Sequence, residues 1–262
     1  MTSPLAPAPL SPGWCIAPPL VFALSAAGVM VSDANTAAFL AINHWTSALP
    51  DGLWATITDT ASVLSVGSLL ALCLSRAPRA VVVAVMAWPV GIVMIRGLKA
   101  LIDAPRPHDV LPADALHQIG VTLSGYSFPS GHTATAFTLI AALLLSTPAC
   151  RRALPALLLL LAGVLVALSR LAVGAHWPGD VLAGAAAGWL CAVIGVVLSQ
   201  RWPLWQSRRA MIALSVVGIV VCLARVIVVT GYPQAQTWST ALGLAGLVAA
   251  GVALKRTMAS PA

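Results

Sequence analysis

Apolar residues in this chain come in long, nearly unbroken runs, not in the alternation of a half-buried strand or the single stripe of a surface helix. About 20 apolar residues in helical conformation cross the hydrocarbon core of a bilayer. Eight stretches approach that length: Ala17 to Val31, Leu53 to Leu74, Ala80 to Leu98, His132 to Ser146, Ala153 to Leu171, Asp180 to Leu198, Ala210 to Val229 and Thr237 to Leu254. The second is the least apolar, since its first half carries Asp59, Thr60 and Ser62, and the first and fourth are short. The pattern predicts an all-α protein, a polytopic transmembrane bundle of about eight helices. Residues 1–14, rich in Pro, Ala and Ser, are expected to form a disordered tail before a retained first helix. Met1 to Pro12 contains no Lys or Arg and so lacks the charged start of a signal peptide.

Polar residues between the stretches orient the bundle. Cytoplasmic connections carry the excess of Lys and Arg. Arg76, Arg79, Arg151, Arg152, Arg201, Arg208, Arg209, Lys255 and Arg256 all fall on one side if there are eight spans, which places both termini in the cytoplasm. Every acidic residue falls on the other side: Asp33, Asp51, Asp59, Asp103, Asp109, Asp114 and Asp180. Trp45, Trp177 and Trp238 lie near outer ends and Trp202 and Trp205 near the inner boundary, as interfacial anchors do. Trp177 also follows a histidine of interest. Arg96, Lys99, Arg106, Arg170 and Arg225 break the orientation pattern or sit within a span. Ionisable groups at membrane depth are expected to have a function. For Arg225 a structural role is expected, against a buried carbonyl or a lipid headgroup.

Composition agrees. Hydrophobic residues make up 60% of the 262 and charged residues 8%, against about a quarter in soluble domains. Too little polar surface remains to cover a water-exposed globule. The net charge of +7 comes from scattered residues that form no basic stripe, which excludes nucleic acid as a partner. The five cysteines have no metal-binding spacing and read as small packing residues. No HExxH pair or tight acidic pair suggests a metal site.

Three segments converge on the outer face. Lys99 is followed by Arg106-Pro107 at the end of the third stretch, and Pro129-Ser130-Gly131-His132 opens the fourth. Ser169-Arg170, then His176, then Asp180, bridge the fifth and sixth. Lys99, Arg106 and Arg170 put three cations at one membrane level, where they repel one another and resist desolvation unless an anion joins them. Arg offers forked hydrogen bonds to phosphate and Lys a compact charge. Ser130 and Gly131 begin a helix whose free N–H groups and positive dipole end suit an anion. Asp180, four residues after His176, can accept from one ring nitrogen and leave the other free to attack phosphorus. His132 is placed to serve the leaving oxygen and water.

The three segments resemble the type 2 phosphatidic acid phosphatase (PAP2) superfamily, whose pattern is KxxxxxxRP, PSGH and SRxxxxxHxxxD; all eleven fixed positions are present in order between Lys99 and Asp180. The resemblance implies that His176 is a nucleophile forming a phosphohistidine, that Asp180 orients it and that His132 is the general acid. It implies that Lys99, Arg106, Ser130, Gly131 and Arg170 bind phosphate oxygens, with no metal or other cofactor. It implies a six-helix phosphatase core, here residues 15–200, with residues 201–262 adding two helices and a short tail. The expected substrate is a membrane lipid phosphate or pyrophosphate at the periplasmic face of a bacterial inner membrane, with undecaprenyl pyrophosphate or a glycerophospholipid phosphate favoured. The segment between Pro107 and Pro129 is too short for a capping domain, so the site is expected to open to water and sideways to lipid. Two other readings stand beside this one. A lipid phosphotransferase passes the phosphoryl group to an acceptor such as lipid A. A non-enzymatic anion or lipid transporter needs a polar path through the bilayer, which the apolar run from Ala153 to Ala167 does not offer. The sequence sets no oligomeric state.

Overall fold

The computed structural model describes residues 12–259; among them are eleven α-helices and no strand. The helices are α1 (Pro12–Met30), α2 (Ala34–Thr46), α3 (Asp51–Asp59), α4 (Val63–Cys73), α5 (Pro78–Ile102), α6 (Pro107–Val110), α7 (Gly131–Ser146), α8 (Ala153–Ala172), α9 (Pro178–Arg201), α10 (Arg208–Ile227) and α11 (Gln236–Ala259). Six are long and apolar enough to cross a membrane, and α3 with α4 form one further candidate span bent by 62°. Every apolar stretch of the sequence has become a helix or this bent pair. The first helix begins at Pro12, inside the expected tail, and the rest of that tail lies outside the described residues.

Large apolar side chains cover the outside of the bundle: Leu24, Val93, Leu158, Val220 and Val248 are all more than half exposed. Such a surface would be unfavourable in water and matches lipid. The chain is an integral membrane protein. Inside, α9 is the central helix, with small residues facing its neighbours. A Cβ at Gly188 would lie 2.1 Å from the Ala134 carbonyl oxygen of α7, and one at Gly195 would lie 2.4 Å from the Val83 carbonyl oxygen of α5. Only glycine permits backbones this close, and close small-residue contacts are what hold helices together where lipid is as apolar as leucine. Trp189 of α9 is fully buried, stacks on Trp14 and donates to its carbonyl at 2.8 Å, which fixes α1.

The bend between α3 and α4 falls where the sequence is polar. Asp59 is buried there and pairs with Arg225 of α10, while Ser239 of α11 bonds to both. Arg225 thus reaches a carbonyl, that of Val228 at 3.3 Å, as expected from sequence, and in addition a carboxylate that the sequence did not suggest. An ion pair made inside the fold removes two charges that lipid would reject separately. It also ties the last two helices to the bent span.

The helix α2 has no counterpart among the eight stretches. It is too short to span and lies across one end of the bundle, packed on α8, α9 and α1. At the opposite end the connections meet one another. Arg79 lies 5.2 Å over the Trp205 ring, and Arg208 donates to the Thr257 and Met258 carbonyls.

Candidate active site

The site is built at the α2 end of the bundle, where α5, α7, α8 and α9 each begin or finish. Pro178 starts α9 in its first turn, where a missing N–H is no loss. This fixes His176 just outside the helix and Asp180 within its first turn. The Asp180 Oδ2 accepts from the Trp177 backbone N–H at 2.9 Å and from the Ser127 hydroxyl, and it lies 3.3 Å from His176 Nδ1. The first of these contacts is an ordinary helix N-cap arrangement that here serves a second purpose. His176 Nδ1 is engaged by Asp180 and by Ser127 at 3.3 Å, so Nε2 is the nitrogen left facing the site. Both His176 and Asp180 are 3% exposed.

Cations surround this pair. Arg106 NH1 lies 3.5 Å from His176 Nε2 and donates to the Ala175 carbonyl at 2.7 Å. Its Nε reaches the Gly125 carbonyl at 2.9 Å and its NH2 the Tyr126 carbonyl at 3.2 Å. Lys99, in the last turn of α5, donates to the carbonyls of Tyr126 and of Ser127, the latter at 3.1 Å. Lys99 and Arg106 therefore clamp the 125–127 segment that carries Ser127 to Asp180. An ammonium has three donors and a guanidinium five, so each retains a donor beyond these carbonyls.

Arg170 differs. It is fully buried at the end of α8, and its NH1 is held by Thr58 Oγ1 and, at 3.0 Å, by the Tyr232 hydroxyl. Its Nε and NH2 have no protein partner. Two unpartnered nitrogens, with three N–H donors between them, on a buried cation amount to a large unmet demand for an acceptor. Burial first, and then the charges of Arg170, Arg106 and Lys99, hold the His176 imidazole well below the usual histidine pKa, against a smaller upward effect of the Ser127 backbone. His176 is neutral and cations face it from three helices or their ends.

The fourth wall is the start of α7. Ser130 is its N-cap, accepting from Thr133 N at 3.4 Å and Thr133 Oγ1 at 3.0 Å, and its backbone N–H donates to the Asp180 carbonyl at 2.9 Å. A Cβ at Gly131 would meet nothing within 4 Å, so the space before the helix end is open. The N–H groups of the first turn point there. His132 and Gly131 also line a cavity of about 290 Å³ that runs between α4, α5 and α7 past Trp88, Gly91 and Leu139. Its walls are mainly apolar, with Arg96 near the same end as His132.

All eight residues singled out in the sequence thus occupy one region, in which Ser127 and the 125–127 carbonyls link Lys99, Arg106, His176 and Asp180, and the Asp180 carbonyl joins them to Ser130. Several contributors gave no sequence signal. Ser127 adjoins the PSGH segment but is not part of it. Asn35 and Asn43 of α2 hold the site from behind: Asn35 Oδ1 accepts from Gly179 N at 3.0 Å, and Asn43 Nδ2 donates to the His117 and Leu171 carbonyls at 2.9 Å. Trp177 is buried, not an interfacial anchor. It packs edge-on against Phe39 at 5.1 Å and donates to the Pro105 carbonyl. Among the described residues, no group of three or more His, Cys, Asp or Glu is placed to hold a metal ion.

Comparison with known proteins gives four likenesses. The pattern of the PAP2 superfamily matches residues 69–204. An undecaprenyl-diphosphatase of Sulfolobus acidocaldarius is 34% identical over 86 residues, which is 33% of this chain and 40% of that relative. This chain therefore spans less than half of that protein's length. The crystal structure of Aquifex aeolicus LpxE superposes with a TM-score of 0.56 at 26% identity, covering 64% of this chain and 97% of that one. A transmembrane PAP2-type phosphatidylglycerolphosphate phosphatase from Bacillus subtilis superposes with a TM-score of 0.53 at 21% identity, over 72% and 98% of the two chains, and shares the fold.

Proposed function

This chain belongs to the PAP2 superfamily, and from that premise we propose that it hydrolyses a lipid phosphate or pyrophosphate at the non-cytoplasmic face of the membrane through a phosphohistidine on His176. The observation that carries the reading is Arg170: a fully buried guanidinium with Nε and NH2 unpartnered, beside a neutral histidine whose Nδ1 is tied to a carboxylate.

In this reading a phosphoryl group sits between Arg170, the α7 N-terminus and the remaining donors of Lys99 and Arg106. His176 Nε2 attacks phosphorus, the bond to the leaving oxygen breaks, and His132, which the negative charge of the bound phosphate holds protonated, gives that oxygen its proton. Asp180 stabilises the positive charge that the phosphorylated ring acquires. His132 then takes a proton from water, the water oxygen attacks phosphorus, and the N–P bond breaks to restore His176. No step needs a metal. Uncatalysed phosphate-ester hydrolysis is among the slowest reactions known. Preorganised donors aimed at the transferring group supply much of the acceleration, each worth on the order of 100- to 1,000-fold.

The apolar cavity beside His132 supports a lipid as the substrate, with room for part of a chain between α4, α5 and α7. The helix α7 is 16 residues long, about 24 Å at 1.5 Å per residue. That is shorter than the roughly 30 Å hydrocarbon core, so α7 measured from the cytoplasmic boundary places a phosphate at its N-terminus a little short of the outer headgroups. Arg and Lys gathered at the opposite end support cytoplasmic termini and an outward-facing site. The Sulfolobus relative's name favours an undecaprenyl pyrophosphate among the candidates, ahead of glycerophospholipid phosphates.

The test is phosphate release by the purified protein in detergent from a panel of lipid phosphates and pyrophosphates, with a chelator present and no acceptor lipid. Release is expected. Activity only with an acceptor lipid would indicate phosphoryl transfer, and activity abolished by chelator would remove the metal-free mechanism.

A further inference from the structure

The last two helices lie beyond the segment that matches the superfamily pattern, yet their connector reaches the phosphate site. Tyr232, between α10 and α11, is 7% exposed and its hydroxyl accepts from Arg170 NH1 at 3.0 Å. The other partner of NH1 is Thr58, in the last turn of α3. The next residue, Asp59, is paired with Arg225 of α10 and with Ser239 of α11. Thus two consecutive residues at the bend of one span divide their contacts: Thr58 holds Arg170 and Asp59 holds the C-terminal helices that deliver Tyr232.

The connector is fixed from a second direction. Val121 N donates to the Gly231 carbonyl at 3.3 Å, and Ile119 N to the Val173 carbonyl at 3.3 Å. Gly120 has φ +79, and a Cβ there would lie 2.7 Å from both the Gly231 oxygen and the Tyr232 ring, so only glycine fits. Tyr232, Ile119, Trp54 and Val173 form one buried cluster around the connection.

A guanidinium held at one end of its fork presents the other end in a set direction. With NH1 fixed by two hydroxyls, Nε and NH2 form the free edge. We propose that the C-terminal helix pair is a working part of the phosphate site, contributing Tyr232 as a positioning residue for Arg170, with the Asp59–Arg225–Ser239 cluster holding Tyr232 and Thr58 in register. This rests on the reading of Arg170 as a phosphate ligand.

The test uses the full chain in detergent with orthovanadate or inorganic phosphate as the probe, followed by protection against thermal unfolding as well as by inhibition of turnover. Tyr232→Phe keeps the ring in its cluster and removes the hydroxyl. It is expected to weaken binding of the anion about tenfold, the size of one hydrogen bond to a charged group, with the unliganded melting temperature little changed. Thr58→Val is expected to do the same and Thr58→Ser to restore binding, which a purely structural role for the hydroxyl position would not produce. Unchanged anion affinity in both Tyr232→Phe and Thr58→Val would overturn the proposal. Because binding is read without turnover, a wild-type protein that binds phosphate but releases none from lipids would count against the proposed hydrolysis and leave the Tyr232 result to be judged on its own.

Discussion

Asp180 and His176 meet through a single oxygen: Oδ2 lies 3.3 Å from His176 Nδ1 and also receives the Trp177 backbone N–H and the Ser127 hydroxyl. Three donors on one oxygen fix which way the carboxylate faces and therefore which imidazole nitrogen is left facing the site. The substitutions at this position should separate geometry from charge. Asp180→Asn can keep an acceptor oxygen in place and loses only the charge, so kcat should fall on the order of 100-fold. Asp180→Ala leaves three donors unpaired, each costing about 1–3 kcal/mol where buried. Its kcat should fall at least another tenfold and its melting temperature should drop. His176→Ala and His132→Ala should lose at least about 1,000-fold while still inserting in the membrane. Steady-state kinetics and thermal unfolding check all four, and full activity in either histidine variant would contradict the account.

The pH dependence follows from the environment of His176. Burial and the neighbouring cations hold its pKa well below 6.5, so the neutral, attacking form persists through neutral pH and is lost only on acidification. The acid limb of kcat/KM should therefore lie below pH 6.5, and it should be common to a phosphate monoester and a pyrophosphate whose own ionisations differ. The same shift bears on stability. The unfolded chain protonates this histidine near its ordinary value and the folded chain does not, so stability is lost as pH falls from about 6.5 toward the folded pKa and is unaffected above it. A shared acid limb above pH 6.5 would contradict the account.

Helix approach sets the site's width. A Cβ at Gly184 of α9 would lie 2.5 Å from the Ser130 carbonyl oxygen and 3.2 Å from Thr133 Cβ. Gly184→Ala must therefore push the start of α7 away from α9, separating Ser130 and His132 from His176. Expected is a loss of about 1–3 kcal/mol from overpacking together with at least a tenfold loss of kcat. Gly251→Ala on α11, where a Cβ meets nothing within 4 Å, should change neither. Equal behaviour of the two variants in melting and turnover would count against the packing argument.

The cavity makes a prediction about the substrate's tail. Gly91 of α5 lines it, and a Cβ there would come no closer than 3.9 Å, to Cys191 Sγ. Gly91→Leu should thus be tolerated by the fold while filling part of the cavity. Turnover of a long-chain lipid phosphate should drop about tenfold or more while that of a water-soluble short-chain phosphate stays within about twofold. A parallel loss of both would mean the cavity does not hold the chain.

Much of this architecture was legible in the sequence because lipid leaves so few options: a long apolar run must be helical, and Lys and Arg outside such runs mark one side. The gathering of these side chains was legible because cations and histidines are rare in such a chain. Their spacing at helix ends needs no knowledge of packing. What escaped was polar structure that depends on distant partners. Asp59 and Arg225 were each out of place in their own stretches, and nothing local shows that they pair across 166 residues. The helix α2 is short and carries Asn35, Asn43 and His44, so it reads as a connection. Its asparagines make sense only once the end of α8 and the start of α9 are seen beside them. Tyr232 sits in an ordinary turn sequence whose partner, Arg170, belongs to another helix altogether.

In the proposed mechanism the phosphoryl group passes through a covalent bond to His176. Hydrolysis of a phosphorothioate monoester made chiral at phosphorus with two oxygen isotopes, carried out in water of the third isotope, tests this directly by the configuration of the inorganic thiophosphate produced. Two successive in-line displacements, on His176 and then on water, predict retention. Inversion would mean that water attacks the substrate itself, and it would contradict the account.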